Sequence, residues 1–167
     1  MTYARGGSIS YETFLLGEGR LGDFPASSRI LIREQISVLA ADNDGAIFPV
    51  ALIPSNARFT YQSAYIRASA ITGGTDYDLG FYEYDAGADG GIGAVVDIDR
   101  LSGPLDFSAG ANLYALSAIG NSSLVGNPLW EVLGLSSDPR KQYLLAFTGN
   151  TVGTADGSIY IELEYTV

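Results

Sequence analysis

The chain has 167 residues, a formal net charge of −10, no cysteine and no histidine. This length suits one domain with its own hydrophobic core. Without cysteine there is no disulfide and no thiolate metal site, and without histidine the commonest general base and zinc ligand are missing. Only carboxylates, tyrosines, arginines and Lys141 remain for catalysis. The composition therefore argues against an enzyme, and we expect no cofactor.

The negative charge is concentrated beyond the first 75 residues. Residues 1–75 balance six acidic residues with six arginines, whereas residues 76–106 carry eight acidic residues and only Arg100. Nucleic-acid binding depends on a positive surface, so we expect no direct contact with DNA or RNA. No stretch approaches the roughly 18 apolar residues of a membrane span, and the opening residues lack the apolar core of a signal peptide. We expect no membrane partner, and a docking surface in the neutral first half.

The first half of the chain predicts an arm followed by strands. Residues 1–28 contain five glycines, and we predict an extended N-terminal arm ahead of one β-sandwich domain over residues 29–167. The segment ILIREQISVLA alternates from Ile30 to Val38 as a strand does, and ADNDG after it is a strong turn signal. AIFPVALIP continues as an extended segment, in which Pro49 and Pro54 indicate an edge or an interrupted strand.

The middle and the end of the chain predict further strands. Residues 58–70 and 77–84 are predicted to pair through the ITGGTD turn, and residues 143–167 are predicted to form a hairpin whose last strand, SIYIELEYTV, has one wet face. PLWEVLGL predicts a short helix, whereas DFSAGANLYALSA fits a helix or a strand equally well. Strands at roughly ten-residue spacing predict an all-β fold, an antiparallel jelly-roll-like β-sandwich with one or two short helices.

The stretch DAGADGG, at residues 85–91, has some features of a calcium loop. Asp85, Asp89 and Gly90 match the first, fifth and sixth positions of the helix-flanked loop. Its third position is Gly87 and its twelfth is Val96, where that loop needs a bidentate glutamate. A solvated loop between two strands is the favoured interpretation, although weak binding of calcium or magnesium stays open.

Two further readings concern the acidic and aromatic residues of the same region. Paired carboxylates could serve glycoside hydrolysis, but acidic pairs on a solvated strand face are far commoner. Four aromatic residues could stack on a sugar or lie between a core and a partner chain, but packing in the core is the favoured interpretation. The acidic candidates are Asp76, Asp78, Glu83, Asp97 and Asp99, and the aromatic candidates are Tyr77, Phe81, Tyr82 and Tyr84.

The order of several segments from Ala51 to Val167 resembles that of a group of tailed-bacteriophage virion proteins. These are small capsid-associated β-proteins of the kind called decoration, cement or head-stabilising proteins. The segments that carry the resemblance are LIPSNARFTYQSAYIRA, GGTDYDLGFYE, VVDIDRL, LDFS, LWEVLGL and TADGSIYIELEYTV. The resemblance implies a jelly-roll-like fold, oligomers that are often trimers, a seat on the capsid lattice and no enzymatic activity.

We therefore expect a structural protein of the outer capsid surface, whose partners are the major capsid protein and other copies of this chain. A trimer is the favoured oligomer. The expected capsid contacts are Arg5, Arg20, Arg29 and Arg33, with the acidic residues 76–106 facing solvent or partner copies. The alternative is a carbohydrate-binding β-sandwich, calcium-assisted at residues 85–91, on a virion or cell surface. A carboxylate-dependent glycosidase ranks last.

Overall fold

The structure is a computed structural model that describes residues 29–115 and 125–167, except the side chains of residues 61 and 62. The predicted arm lies outside the described residues. One four-residue helix, α1 (Leu129–Val132), lies where PLWEVLGL predicts it, and a 3-10 turn spans Asp89–Gly91. The strands are β1 (Arg29–Val38), β2 (Ala46–Pro54), β3 (Arg58–Ala68), β4 (Asp76–Tyr84), β5 (Ile92–Leu105), β6 (Ala111–Tyr114), β7 (Gln142–Thr151) and β8 (Gly157–Thr166).

These eight strands form two four-stranded sheets. Sheet A has the order β1-β8-β3-β6, and sheet B has the order β2-β7-β4-β5. Every strand pair within them is antiparallel. Two packed antiparallel sheets with this order form a jelly roll. The predicted fold class is confirmed.

Both predicted hairpins are wrong. β7 lies in sheet B between β2 and β4, whereas β8 lies in sheet A between β1 and β3, and β3 and β4 are likewise in different sheets. The glycine-containing turns after β3 and β7 instead cross between the sheets, and they contact each other where the Thr154 amide donates to the Thr72 carbonyl at 2.8 Å. Among the described strands only β4 and β5 are consecutive and paired, and residues 85–91 join them.

The core lies between the sheets and follows the predicted alternation. Ile159, Ile161 and Leu163 of β8 are fully buried, whereas Tyr160 and Glu162 between them are partly exposed. From sheet B, Tyr77, Leu79 and Phe81 of β4 point into the same core. Burial of the large side chains is the main source of stability in such a sandwich.

The predicted edge position of AIFPVALIP is confirmed. β2 is the edge strand of sheet B, and its pairing with β7 shifts by one residue between Pro49 and Ala51. Proline cannot donate a ladder hydrogen bond, so an edge strand with a bulge is where it is tolerated.

The outer face of sheet B carries a second, smaller apolar cluster. Leu52, Tyr82, Leu144 and Ala146 are at most 6% exposed, and Ile92 and Ile98 of β5 pack against them. β5 reaches them because its pairing with β4 contains several register shifts. The backbone of β5 then passes so close to Gly80 that a Cβ there would lie 2.1 Å from the carbonyl oxygen of Asp97. Glycine at position 80 is therefore a condition of this close packing.

Candidate functional site

The five acidic candidates do not all lie together: Asp78 interacts with Asp76 and Asp99, and Asp97 with Asp99, whereas Glu83 lies elsewhere. Asp76 and Asp78 share a face, as predicted, and Asn150 Nδ2 donates to Asp76 Oδ1 at 3.4 Å and to Asp78 Oδ2 at 2.7 Å. Glu83 is bound elsewhere, by Lys141 Nζ at 2.6 Å. Asp97 pairs with Arg100 at 3.7 Å, and that guanidinium also donates to the Val132 carbonyl.

The Asp78 carboxylate is only 8% exposed. Burial raises its pKa, and the charges of Asp76 and Asp99 raise it further against the lowering effect of the Asn150 hydrogen bond. Burial likewise raises the pKa of Asp97. An acid whose pKa is raised in the folded state binds its proton more tightly there, so folding gains stability as the pH falls through that pKa toward the ordinary value of 3.8.

A stability maximum in mild acid is therefore expected. The pKa of Glu162 is lowered by its hydrogen bond with Arg33, so the stability it contributes is lost only as the pH falls below the ordinary value of 4.5. We expect the urea midpoint to rise as the pH falls from 7 toward 4.5, the ordinary glutamate pKa, and to fall in stronger acid. Asp78→Asn should flatten the rise, whereas Asp89→Asn, which removes a charge at an exposed position, should not. Identical pH profiles for the two variants would contradict this account.

The acidic loop at residues 85–91 is a turn between β4 and β5. The Asp85 Oδ1 atom accepts the Gly87 amide at 2.9 Å, and Gly90 and Gly91 have φ of 65° and 71°. The aspartate and the glycines thus supply the turn chemistry that the favoured interpretation requires. Within residues 29–115 and 125–167 no group of three or more acidic side chains could hold a metal ion.

The four aromatic candidates do not make an exposed platform. Tyr77 and Phe81 are fully buried in the main core, and the Tyr77 hydroxyl donates to the Val152 carbonyl at 2.7 Å. Tyr82 is 1% exposed in the second cluster, where its hydroxyl and that of Thr148 are 2.6 Å apart. Only Tyr84 is partly exposed. The core interpretation therefore holds for Tyr77, Phe81 and Tyr82.

Of the four arginines expected to contact a capsid, Arg29 and Arg33 lie in the described residues, and Arg5 and Arg20 lie outside them. Arg29 begins β1, and its side chain is 73% exposed with one ion pair, Nη1 to Glu164 Oε1 at 3.3 Å. Arg33 is 61% exposed, and its Nε atom donates to Glu162 Oε2 at 2.8 Å. Both side chains lie on the outer face of sheet A.

The strand pairing places Arg29 at one end of the sandwich, which we name the arm-proximal end. It comprises the start of β1, the turn at residues 55–57, the loop at residues 85–91 and the connection at residues 125–141. Four of the seven arginines and lysines of the described residues are here, with six acidic side chains beside them. The four cations are Arg29, Arg58, Arg140 and Lys141, and the six acids are Glu83, Asp85, Asp89, Glu131, Asp138 and Glu164. This end also carries two exposed apolar side chains, Val125 and Leu135.

The arm-proximal end is held together by backbone hydrogen bonds. The Leu129 amide donates to the Ala57 carbonyl at 2.8 Å, and the Trp130 amide donates to the Ser55 carbonyl at 2.9 Å. Arg58 Nη1 donates to the Gly126 carbonyl at 2.6 Å. These contacts fix the connection after β6 against the turn between β2 and β3, so this end presents a preorganised surface.

No protein-family model, no curated protein and no solved structure matches the chain. No helix within residues 29–115 and 125–167 is long and apolar enough to cross a membrane. The two ends and the outer faces of the sandwich are therefore the basis for assigning a function.

The opposite, distal end is formed by the loops at residues 39–45, 69–75, 106–110 and 152–156. These loops contain four aspartates and no arginine or lysine. Each aspartate accepts a backbone amide: Asp42 from Leu39, Asp44 from Val152, Asp106 from Ser108 and Asp156 from Ala40. The distal acids thus stabilise turns, and together they make the distal end more negative than the arm-proximal end.

Several surface residues were not predicted as functional. Arg58, Arg140 and Lys141 come to the arm-proximal end from different parts of the chain, and only the strand order brings them together. Nothing in the segments that contain Tyr65 and Tyr160 indicated that β3 and β8 are neighbours. Alternation indicates which side chains of a strand are exposed, but only the strand pairing shows which of these side chains are neighbours.

Proposed function

We propose that this chain is a structural virion protein, a decoration or cement protein that binds the assembled lattice of a bacteriophage major capsid protein and stabilises the head. The observation that carries the proposal is the charge difference between the two ends of the jelly roll. The arm-proximal end carries charges of both signs, whereas the charged residues in the loops of the distal end are all aspartates. A surface with charges of both signs suits docking on a protein, and a uniformly negative one suits solvent.

In this proposal the arm-proximal end is the surface that contacts the capsid, and we call it the seat. Residues 1–28 join the sandwich at Arg29, so Arg5 and Arg20 are tethered to this same end by the chain itself. Two linked contacts bind with higher avidity than either alone. A protein that binds the assembled lattice better than its free subunits stabilises the assembled state by linkage.

The acidic segment fits this seat only in part. Residues 76–106 form β4, β5 and the loop between them, at the side of sheet B. β4 is largely buried between β7 and β5, so it is the edge strand β5 that is available to solvent or to neighbouring copies in a trimer. The loop at residues 85–91 is the exception, because it belongs to the arm-proximal end.

Deletion of residues 1–25 tests this seat. We expect the shortened chain to lose at least tenfold in affinity for intact capsids, because the tethered contact is removed while the sandwich keeps all its strands. The measurement is cosedimentation of full-length and shortened protein with purified capsids over a concentration series. Equal thermal unfolding midpoints would verify that the shortened chain is folded. Unchanged binding by a folded shortened chain would exclude the proposed role of the arm.

The structure gives less support to the carbohydrate-binding module and to the glycosidase. The tyrosines that the calcium-assisted carbohydrate module would have used are mostly buried. For hydrolysis, a general acid and a second carboxylate must flank one bond. Among the five acidic candidates Glu83 is bound by Lys141, and Asp97 is paired with Arg100.

A further inference from the structure

The outer face of sheet A carries a groove that borders the arm-proximal end, where its Glu164 pairs with Arg29. Its volume is about 400 Å³, and it is open to solvent. It crosses β8, β3 and β6, beside the shift in the pairing of β3 with β8 between Phe59 and Ala64. The residues that line it are Thr60, Ser63, Tyr65, Tyr114, Glu162 and Glu164.

Two tyrosine rings form the apolar part of this groove. Tyr65 and Tyr114 are direct partners on adjacent strands, and their ring centroids are 5.3 Å apart at an interplanar angle of 57°. The Tyr65 hydroxyl donates to Asn112 Oδ1, which fixes the orientation of that ring. Tyr114 is 38% exposed. The exposed ring of Tyr114, with Tyr65 beside it, is a surface on which the C–H face of a pyranose ring can stack.

The polar part of the groove is ionised, yet its charge is compensated. Glu162 Oε2 accepts from Arg33 Nε at 2.8 Å and from the Tyr160 hydroxyl at 3.2 Å. Glu164 pairs with Arg29. The two carboxylates and two guanidiniums cancel, so the groove has no net attraction for a cation. Its carboxylate oxygens remain strong acceptors for hydroxyl donors.

We propose that this groove is a binding site for a neutral saccharide, with Tyr65 and Tyr114 stacking on a sugar ring and Glu162 and Glu164 accepting its hydroxyl hydrogens. Net neutrality argues against a basic peptide, and the paired carboxylates argue against an anionic ligand. The site binds without hydrolysis, because its Glu162 is held ionised by Arg33 and Tyr160 whereas a glycosidase needs a protonated carboxyl group. The groove opens on the outer face of sheet A, and the Arg29–Glu164 pair links it to the arm-proximal end.

The test applies the full-length protein to an array of immobilised neutral oligosaccharides, acidic oligosaccharides and basic peptides. We expect binding to neutral oligosaccharides, and calorimetry with the best of them then compares variants. Tyr114→Ala should weaken binding about tenfold and Tyr114→Phe less than about threefold, because the ring is the contact. Glu164→Gln should weaken binding severalfold by removing a charged acceptor, and Gln35→Ala, outside the groove on the same sheet, should change nothing.

Competition by free monosaccharide separates two sources of the ligand. Full displacement by one free sugar indicates a single-residue site, and resistance indicates a longer surface glycan that spans the groove; both outcomes support a saccharide site. Binding of basic peptides alone, or of nothing on the array, would overturn the proposal. Neutral-sugar binding that is unchanged in both Tyr114→Ala and Glu164→Gln would also overturn the proposal. If Tyr114→Ala does not fold, the affinity of Glu164→Gln alone is the test.

Discussion

Replacing Gly80 with alanine should lower the free energy of unfolding by about 3 kcal/mol or more, because the new methyl group has no room. A Cβ at this position would lie 2.1 Å from the carbonyl oxygen of Asp97 and 2.3 Å from the carbonyl carbon of Ile98. Both neighbours are backbone atoms of β5, so no side chain can rotate out of the way. The strand would have to move, and Ile98 would lose its packing on the second apolar cluster.

Urea denaturation of the purified protein measures this effect, with Gly87→Ala as the matched control. A Cβ at Gly87 would meet only Asp85 Oδ1 at 3.4 Å, which is an ordinary contact, and Gly87 does not have a positive φ. We expect Gly87→Ala to change the free energy of unfolding by less than about 0.5 kcal/mol. Equal stabilities for the Gly80 and Gly87 variants would show that β5 does not pass over sheet B as described.

Reversing two charges at the arm-proximal end should weaken capsid binding about tenfold or more at low salt. The variant is Arg29→Glu combined with Arg140→Glu. Both side chains are exposed, so their replacement should cost little stability. The loss of affinity should shrink as salt increases, because exposed charges are screened beyond about 8 Å at physiological ionic strength. Cosedimentation with purified capsids at several salt concentrations measures both effects.

Arg67→Glu is the control for this variant. Arg67 is exposed in β3, on the outer face of sheet A, and belongs to neither end of the sandwich. Its reversal should leave capsid binding within about twofold of the unchanged protein, because it is outside the proposed seat. If Arg67→Glu weakened binding as much as the double variant, the contact would lie on the sheet face rather than at the arm-proximal end.

Much of the fold could be predicted from the sequence because strand alternation is a local property. The last strand shows this most clearly: Ile159, Ile161 and Leu163 are buried, and Glu162 and Glu164 are on the wet face. The proline-containing β2 was also placed correctly at an edge. Sheet membership was not predictable in this way, because alternation gives a buried face to β7 and to β8 without stating which sheet each strand joins. A short glycine-containing turn between two strands suggests a hairpin, whereas the turns after β3 and β7 connect strands of different sheets.

The candidate sites show the same limit. Acidic and aromatic residues crowded together in the sequence drew attention to β4, but the strand turns Tyr77 and Phe81 into the core. The groove on sheet A is instead assembled from β3, β6 and β8, which are far apart in the chain. Tyr65 and Glu162 meet only because β3 and β8 are neighbours. Such a juxtaposition is a property of topology, which no single segment encodes.

The jelly roll also explains how one small domain could serve two proposed roles. Its loops gather at two ends with different charge, while the outer face of sheet A lies between them. A seat at the arm-proximal end and a saccharide groove on the side therefore use different residues except at Arg29, which pairs with Glu164 of the groove. Variants at Arg140 should affect the first role alone, and variants at Tyr114 should affect the second alone.

The most direct test of the central claim is the protein composition of intact virions from the phage that the proposal requires. Virions carrying the gene for this chain would be purified and their proteins quantified by mass spectrometry against the major capsid protein. The proposal predicts this chain in near-stoichiometric amounts with the major capsid protein. Its absence from intact virions, or its presence only in trace amounts, would contradict a role as a capsid decoration protein.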